Sequence, residues 1–309
     1  MDTFLQQLIN GLTLGAVYAM VALGYTMVYG IIQLINFAHG EVVMIGAMVS
    51  FSVVGALVDT NSAMPPVLII LLSGCAAIPV CIAVACVMER VAYRPLRNAP
   101  RLAPLITAIG VSIILQHVAM MIWSRNPLAF PQILDNHVFA IAGATVTVVQ
   151  IAIWTVSAVM MTLLNYMLYR TRLGIAMRAT SQNPQVAGLM GIDTDRVIAA
   201  TFAIGATLAA VAGIMVSTYY GIAQYTMGSM LGLKAFCAAV LGGIGNIPGA
   251  MLGGILLGLV EALGAGYIGD LTNNWFGSNY RDVFAFIVLI LVLVLRPSGL
   301  LGKRVEDRA

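Results

Sequence analysis

Three charged residues stand inside apolar runs of this chain, and each could do chemistry. Glu41 closes the cluster Asn36-Phe37-Ala38-His39-Gly40-Glu41, which puts an amide, an imidazole and a carboxylate within six residues. Lys234 lies in the short segment Met227–Gly245, and Glu261 in the run 249–267. Ionised groups at membrane depth are costly and are kept where they face a cavity, a partner group or a transport path. Two roles are open to Asn36, His39 and Glu41. They form a wetted polar turn, with Asn36 capping the next helix, or they line or gate a translocation path. Pairing with Lys234 would lower the cost of one acid, Glu41 or Glu261, and the sequence does not say which. Gln116 and His117 are adjacent in another apolar run, where an interhelical hydrogen bond is expected ahead of a substrate contact.

Enzyme chemistry has no foothold here. The phosphate-binding pattern G-x-x-x-x-G-K-[ST] is absent, so this chain is not expected to bind or split ATP. Gly242-Gly243-Ile244-Gly245 lacks the third glycine and the preceding strand of a dinucleotide loop. Close packing or a turn at membrane depth is the expected use of these glycines, and such a break can also border a path. Cys75, Cys81, Cys86 and Cys237 sit in apolar runs without metal-ligand spacing, as small core residues. No cofactor, metal or nucleic acid is expected on the chain.

Those residues must be positioned by membrane helices. Hydrophobic residues make up 61% of the 309 and charged residues only 9%, against about 25% charged in soluble domains. The fold class is therefore all-α, a polytopic membrane protein of about eight to nine passes, with no room for a soluble catalytic domain. It is read as one domain over 1–309. Apolar runs at 5–30, 38–58, 66–88, 103–123, 148–169, 197–220, 249–267 and 281–296 read as spans. Met227–Gly245 reads as a broken or re-entrant crossing, because irregular backbone at that depth needs a protein or water surround. Thr13–Val17 and Thr207–Val211 echo each other, as do Tyr29-Gly30-Ile31 and Tyr220-Gly221-Ile222. An inverted repeat is one explanation of that echo, and chance is the other.

Cations set the orientation. Twelve of the fifteen lie in three groups: Arg90, Arg94, Arg97 and Arg101; Arg170, Arg172, Arg178 and Arg196; and Arg296, Lys303, Arg304 and Arg308. The positive-inside rule puts all three in the cytoplasm, with the C-terminus. The N-terminus, the Asp59–Pro66 turn, Ser124–Thr147 and Ile268–Tyr280 then face outward, with Trp123, Trp275 and Tyr280 near outer boundaries. His137–Val149 is rich in β-branched residues, with Gly143 as a turn, and suggests a small extended piece. The N-terminus has no cationic stretch, so a cleaved signal peptide is not expected.

The longest cationic interruption, Arg170–Arg196, holds helix grammar of its own. Asn183 suits an N-cap, Pro184 the first helical position and Gly191 the C-terminal stop. Val186, Leu189 and Met190 fall on one face. A helix this short is not stable alone in water, so its apolar stripe must rest on the membrane core or on a separate cytosolic chain.

The chain resembles the H-type permease subunits of the high-affinity branched-chain amino-acid ABC importers. The likeness runs nearly end to end. It is carried by Gly24–Ala47, Glu89–Arg97 (ERVAYRPLR), the 170–196 loop with LMGIDTDRVIA, Lys234–Gly254 and the C-terminal RPSGLLG. The resemblance implies a bacterial inner-membrane importer of leucine, isoleucine and valine, and sometimes of other aliphatic or aromatic amino acids. It further implies a second related permease, two cytosolic ATPase subunits that hydrolyse the ATP, and a periplasmic binding protein. It makes the 183–191 helix the coupling helix, with Arg178, Asn183, Pro184, Val186, Ala187, Gly188, Leu189, Met190 and Gly191 as the ATPase-coupling set. Asn36, His39, Glu41, Lys234, Gly242, Gly243, Gly245 and Glu261 are the candidates for the path. The alternatives are a permease for urea, short amides or a sugar, a secondary transporter in which Glu41 or Glu261 carries a proton or Na⁺, and a membrane scaffold.

Overall fold

The apolar runs become helices because a chain in lipid must satisfy its backbone N–H and C=O groups internally. The structure, a computed structural model, describes residues 2–60, 64–97, 99–100, 102–134, 137–141, 143–271 and 281–302. Arg101, Trp275, Tyr280, Lys303, Arg304 and Arg308 lie outside the described residues. The helices are α1 (Asp2–Ile32), α2 (His39–Thr60), α3 (Pro66–Met88), α4 (Leu102–Ile122), α5 (Val148–Arg170), α6 (Arg172–Gln182), α7 (Pro184–Leu189), α8 (Thr194–Tyr220), α9 (Met227–Gly242), α10 (Ile247–Leu271) and α11 (Arg281–Leu295). Among the described residues seven are long and apolar enough to cross a membrane, namely α1–α5, α8 and α10, and α9 and α11 are shorter apolar helices. The protein is an all-α, multi-pass membrane protein.

Local sequence explains several boundaries. Thr147 accepts from the Gln150 amide at 3.3 Å while its own amide donates to Gln150 Oε1 at 2.9 Å, a reciprocal cap that starts α5. Asp193 caps α8 by accepting from the Arg196 amide. Before α5 the chain forms an antiparallel hairpin of β2 (Val138–Ile141) and β3 (Ala144–Thr147), with Gly143 at φ 85° in the turn. This is the extended piece expected there. A two-residue strand β1 (Leu128–Ala129) pairs with β4 (Ile222–Ala223). The hairpin marks one end of the bundle, and α6 and α7 mark the other.

Helix α1 is the central post. It packs most extensively against α10, where a Cβ on Gly258 would strike the backbone of Gly15. Small residues let membrane helices approach this closely and gain packing where no hydrophobic drive exists. Of the cysteines, Cys81 and Cys237 are buried as expected, whereas Cys75 is exposed on the outer side of α3, where an apolar thiol suits lipid equally well.

Two helices begin inside the bundle. At the end of α1 the chain turns at Gln33, with φ 56°, and re-enters to start α2, where His39 packs against Gly24 of α1, well short of Ile32. After α8 it turns at Gly221, with φ 66°, and re-enters to start α9. Both links end in the same turn. The His39 amide donates to the Asn36 carbonyl at 3.0 Å, and the Met227 amide to the Gln224 carbonyl at 3.1 Å. Helices α1 and α8 run antiparallel, with Gly24 beside Gly205 and Tyr18 beside Val216. The two re-entrant units therefore run in opposite directions. Gln33, Asn36 and Gly40 correspond to Gly221, Gln224 and Gly228, all at one common spacing. The sequence echo between Thr13–Val17 and Thr207–Val211 does not share that register.

Candidate functional site

At the end of the bundle opposite the hairpin, Thr171 caps α6 by accepting from the Gly174 amide at 3.2 Å. Asn183 then breaks the helix and caps α7, accepting from the Gln185 and Val186 amides at 3.0 and 3.1 Å. The far end closes with two bonds, Gly191 amide to Gly188 carbonyl and Ile192 amide to Ala187 carbonyl, with Gly191 at φ 83°. That pair is a Schellman stop, which needs a left-handed residue at this position. Segment 170–196 thus holds two helices, where the sequence signals mark only α7.

The apolar stripe of α7 points away from the protein. Leu189 is 87% exposed, and Val186 and Met190 are also largely uncovered. Ala187 is 4% exposed and faces the bundle, so it seats the helix on its own chain. Space is open around Gly188. Arg178 lies on α6, with its guanidinium 5.2 Å from the centre of the Tyr169 ring. Beside this surface Asp195 takes Arg94 and, at 2.5 Å, Arg97, and Arg97 also bonds Glu89. These pairs tie the extension of α3, a π turn Glu89–Tyr93 and a 3-10 turn Arg94–Leu96, to the start of α8. Asp195 and Glu89 are not among the residues that the sequence singles out, although both sit in the segments that carry the family likeness.

Inside the bundle, α2 and α9 cross at their first turns. A Cβ on Gly228 would lie 2.5 Å from the Gly40 carbonyl oxygen and 2.7 Å from Glu41 Oε2. Only glycine permits that approach. Asn36 does not cap α2 with its side chain. Its Oδ1 accepts from the Tyr93 hydroxyl at 2.6 Å. His39 stacks edge-on to Tyr25, with ring centres 4.9 Å apart. Glu41 is fully buried and accepts from Ser112 at 3.0 Å and Gln116 at 2.7 Å on α4. Gln116 therefore makes the expected interhelical bond. His117 stays on its own helix, with Nδ1 2.9 Å from the Ile113 carbonyl oxygen.

Lys234 pairs with Glu261, not Glu41. Its Nζ is 2.8 Å from Glu261 Oε1 and 2.6 Å from Asp282 Oδ1, and it donates to the Tyr18 hydroxyl at 3.4 Å. Tyr18 in turn donates to Glu261 Oε2 at 2.8 Å. One ammonium thus joins α1, α9, α10 and α11, with Lys234 and Glu261 both buried. Tyr18 and Asp282 escape a reading of the sequence. A tyrosine in an apolar run carries no signal, and Asp282 sits at the first turn of α11, where it reads as a boundary residue.

Gly242, Gly243 and Gly245 lie away from this network. They form the joint between α9 and α10, held by the segment after α11. The Leu300 and Leu301 amides donate to the Leu241 and Gly242 carbonyls, and Asn246 Nδ2 donates to the Leu301 carbonyl at 2.7 Å. Gly243 and Gly245 have φ of 101° and 90°, and Gly245 sits beside Gly30 near the end of α1. Packing and turn formation account for all three.

A groove of about 280 Å³ opens between α1, α8 and α9. Its polar lining is Tyr18, Tyr220, Gln224 and Lys234, and its apolar lining includes Met227, Met230 and Leu231. Among the described residues no cluster of His, Cys, Asp or Glu is arranged to hold a metal.

Comparison with known proteins agrees with this architecture. The family described as branched-chain amino acid transport system / permease component matches residues 7–293. The high-affinity branched-chain amino acid transport system permease protein LivH of Salmonella typhimurium is 46% identical, covering 97% of this chain and 96% of the relative. The corresponding protein BraD of Pseudomonas aeruginosa is 48% identical over the same shares. The ribose import permease protein RbsC of Haemophilus influenzae is 25% identical, covering 96% and 86%. No solved structure matches at a significant level. On the strength of the family match and of these near full-length identities, this chain belongs to the permease component family of branched-chain amino acid transport systems.

Proposed function

We propose that the chain is the membrane permease of an ATP-driven importer for branched-chain and related apolar amino acids. The observation that carries the reading is the bare apolar face of α7. Val186, Leu189 and Met190 stand exposed on a capped helix at the cation-rich end, on a chain with no nucleotide motif of its own. A contiguous apolar face left bare on so short a helix marks a surface that a partner covers. A cytosolic ATPase subunit is the partner that would also supply energy. The cation distribution favours α6 and α7 in the cytoplasm, the hairpin end outside, the N-terminus outward and the C-terminus inward. The complete importer then comprises this chain in a bacterial inner membrane, a second related permease, two ATPase subunits and a periplasmic binding protein. No cofactor binds this chain, and ATP is hydrolysed by the partners. Identities of 46% and 48% to amino-acid permeases, against 25% to a ribose permease, favour an amino-acid substrate over a sugar.

The test is leucine uptake by the assembled complex in proteoliposomes, with the binding protein outside. Uptake should require ATP on the side of α7 and survive collapse of proton and sodium gradients. Uptake that continues without ATP but stops when the gradients collapse would overturn the proposal in favour of a secondary transporter.

A further inference from the structure

Two cavities meet at the hairpin end of the bundle. One, of about 350 Å³, is lined by Gln6 and Asn10 of α1, by Thr147 and Gln150 at the start of α5, and by Thr218 and Tyr219 near the end of α8. The other, of about 270 Å³, is a crevice between α3, α5 and α8, walled by Ile70, Gly74, Ile153, Val156 and Ile214. They share Leu134, Val149 and Thr218, so the polar cavity opens onto the apolar crevice. Among the described residues no charged side chain lines either one. The Thr218 hydroxyl donates to the Ile214 carbonyl at 2.8 Å, which leaves the crevice wall apolar. Leu71 and Val156 on its rims are exposed on two membrane-crossing helices, so the crevice faces bilayer hydrocarbon.

We propose that the two cavities together bind one phospholipid whose headgroup carries no net charge, of the phosphatidylethanolamine type. The headgroup lies in the polar cavity, one acyl chain fills the crevice, and the other chain stays in the bilayer. The dimensions suit an upright chain. Residues 70–78 of α3 cover about 12 Å of helix, most of the ~15 Å of hydrocarbon in one leaflet. An empty crevice forfeits dispersion contacts, and an acyl chain restores them. Hydrocarbon that moves from bilayer to crevice leaves no water behind, so the choice among lipids falls to the headgroup. There Asn10 Oδ1 accepts from Gln6 and Gln150 at 3.3 and 3.2 Å, which leaves its Nδ2 protons for a phosphate oxygen. Neutral amides and hydroxyls can bond both ends of a zwitterion. A net anion would lack a cation to offset its desolvation. The site is independent of the proposed import function, because it faces lipid and not the path.

The test places the permease, purified with the subunits that accompany it, in vesicles of phosphatidylethanolamine and phosphatidylglycerol in equal parts. A trace of one lipid or the other carries a photoreactive group midway along its chain, and the labelled peptides are mapped. The phosphatidylethanolamine probe should label residues 149–156 well above the exposed face of α4 at Ile113 and Ile114, which reports bulk lipid. The phosphatidylglycerol probe should label both places at the bulk level. Gly74→Leu fills the crevice, and its Cβ would meet only the Ile214 δ-methyl at 3.8 Å, so the helices keep their places. In that variant labelling of 149–156 should fall to the α4 level while α4 itself is unchanged. Val156→Trp closes the crevice from the opposite wall and should do the same, which keeps the test decisive where Gly74→Leu fails to assemble. Bulk-level labelling of the crevice by both lipids would overturn the site. So would cross-links from 149–156 to a neighbouring subunit with no lipid labelling there, because a protein would then cover this face. Equal enrichment of both lipids would overturn the headgroup assignment.

Discussion

Replacing Lys234 with Met tests whether the buried charge cluster is a joint that holds four helices. Met keeps most of the volume, so the change is chiefly electrostatic. It removes the ammonium that lies 2.8 Å from Glu261 and 2.6 Å from Asp282. Two carboxylates then share an apolar interior, with the Tyr18 hydroxyl still donating to Glu261. Breaking one side of a buried pair costs about 3–5 kcal/mol. Asp282 is 28% exposed, so water screens part of its charge and the lower end, about 3 kcal/mol, applies. At roughly 2–4 °C per kcal/mol for large domains, the complex should melt about 6–12 °C lower. Adding Glu261→Gln to Lys234→Met removes the deeper of the two stranded charges, leaving only the partly exposed Asp282, and should recover at least about half of the loss, a coupling well above the ~0.5 kcal/mol scatter of independent sites. The assay is thermal unfolding of the purified complex in detergent for the parent, both single variants and the double. A Lys234→Met variant that melts with the parent, or single effects that simply add, would refute the cluster as a coupled unit.

The crossing of α2 and α9 gives the next prediction. Gly228→Val puts a branched side chain onto the Gly40 carbonyl and Glu41. It should destabilise by about 3 kcal/mol, at the upper end of overpacking costs, and lower the yield of assembled complex on size-exclusion chromatography. Gly110→Ala, on α4 with open space around it, serves as its control and should be neutral or slightly stabilising in the same thermal assay, since alanine favours helix by up to about 1 kcal/mol.

Much of this architecture is legible in the sequence because membrane helices are written as apolar runs. The boundaries of α2, α3, α5 and α8 follow directly from where those runs stop. Helix α7 is legible for a different reason. Asn183, Pro184 and Gly191 are local signals whose effect is confined to one or two turns. The interior start of α2 is not legible, because a polar cluster between apolar runs looks the same at the membrane surface as in a re-entrant turn. Only the contacts of His39 with Gly24 and of Gly40 with Gly228 distinguish them. The partner of Lys234 is hidden for a related reason. Glu41 and Glu261 are equally good acids on paper, and the choice is made by packing that brings Tyr18 and Asp282 to the same ammonium. Helix α6 is hard to read because its sequence, RLGIAMRATSQ, mixes cations and small polar residues. Its capping by Thr171 is the signal the sequence does offer.

If energy enters through α7, the Leu189→Glu variant should block it. Leu189 is 87% exposed and touches little of its own chain, so the substitution leaves the fold and membrane insertion intact. The measurement is ATP hydrolysis by the reconstituted complex as substrate-loaded binding protein is titrated in, with leucine uptake recorded alongside. Stimulation of hydrolysis and uptake should both be lost while the permease pair still purifies. Full stimulation and full uptake in Leu189→Glu would contradict entry of energy through α7.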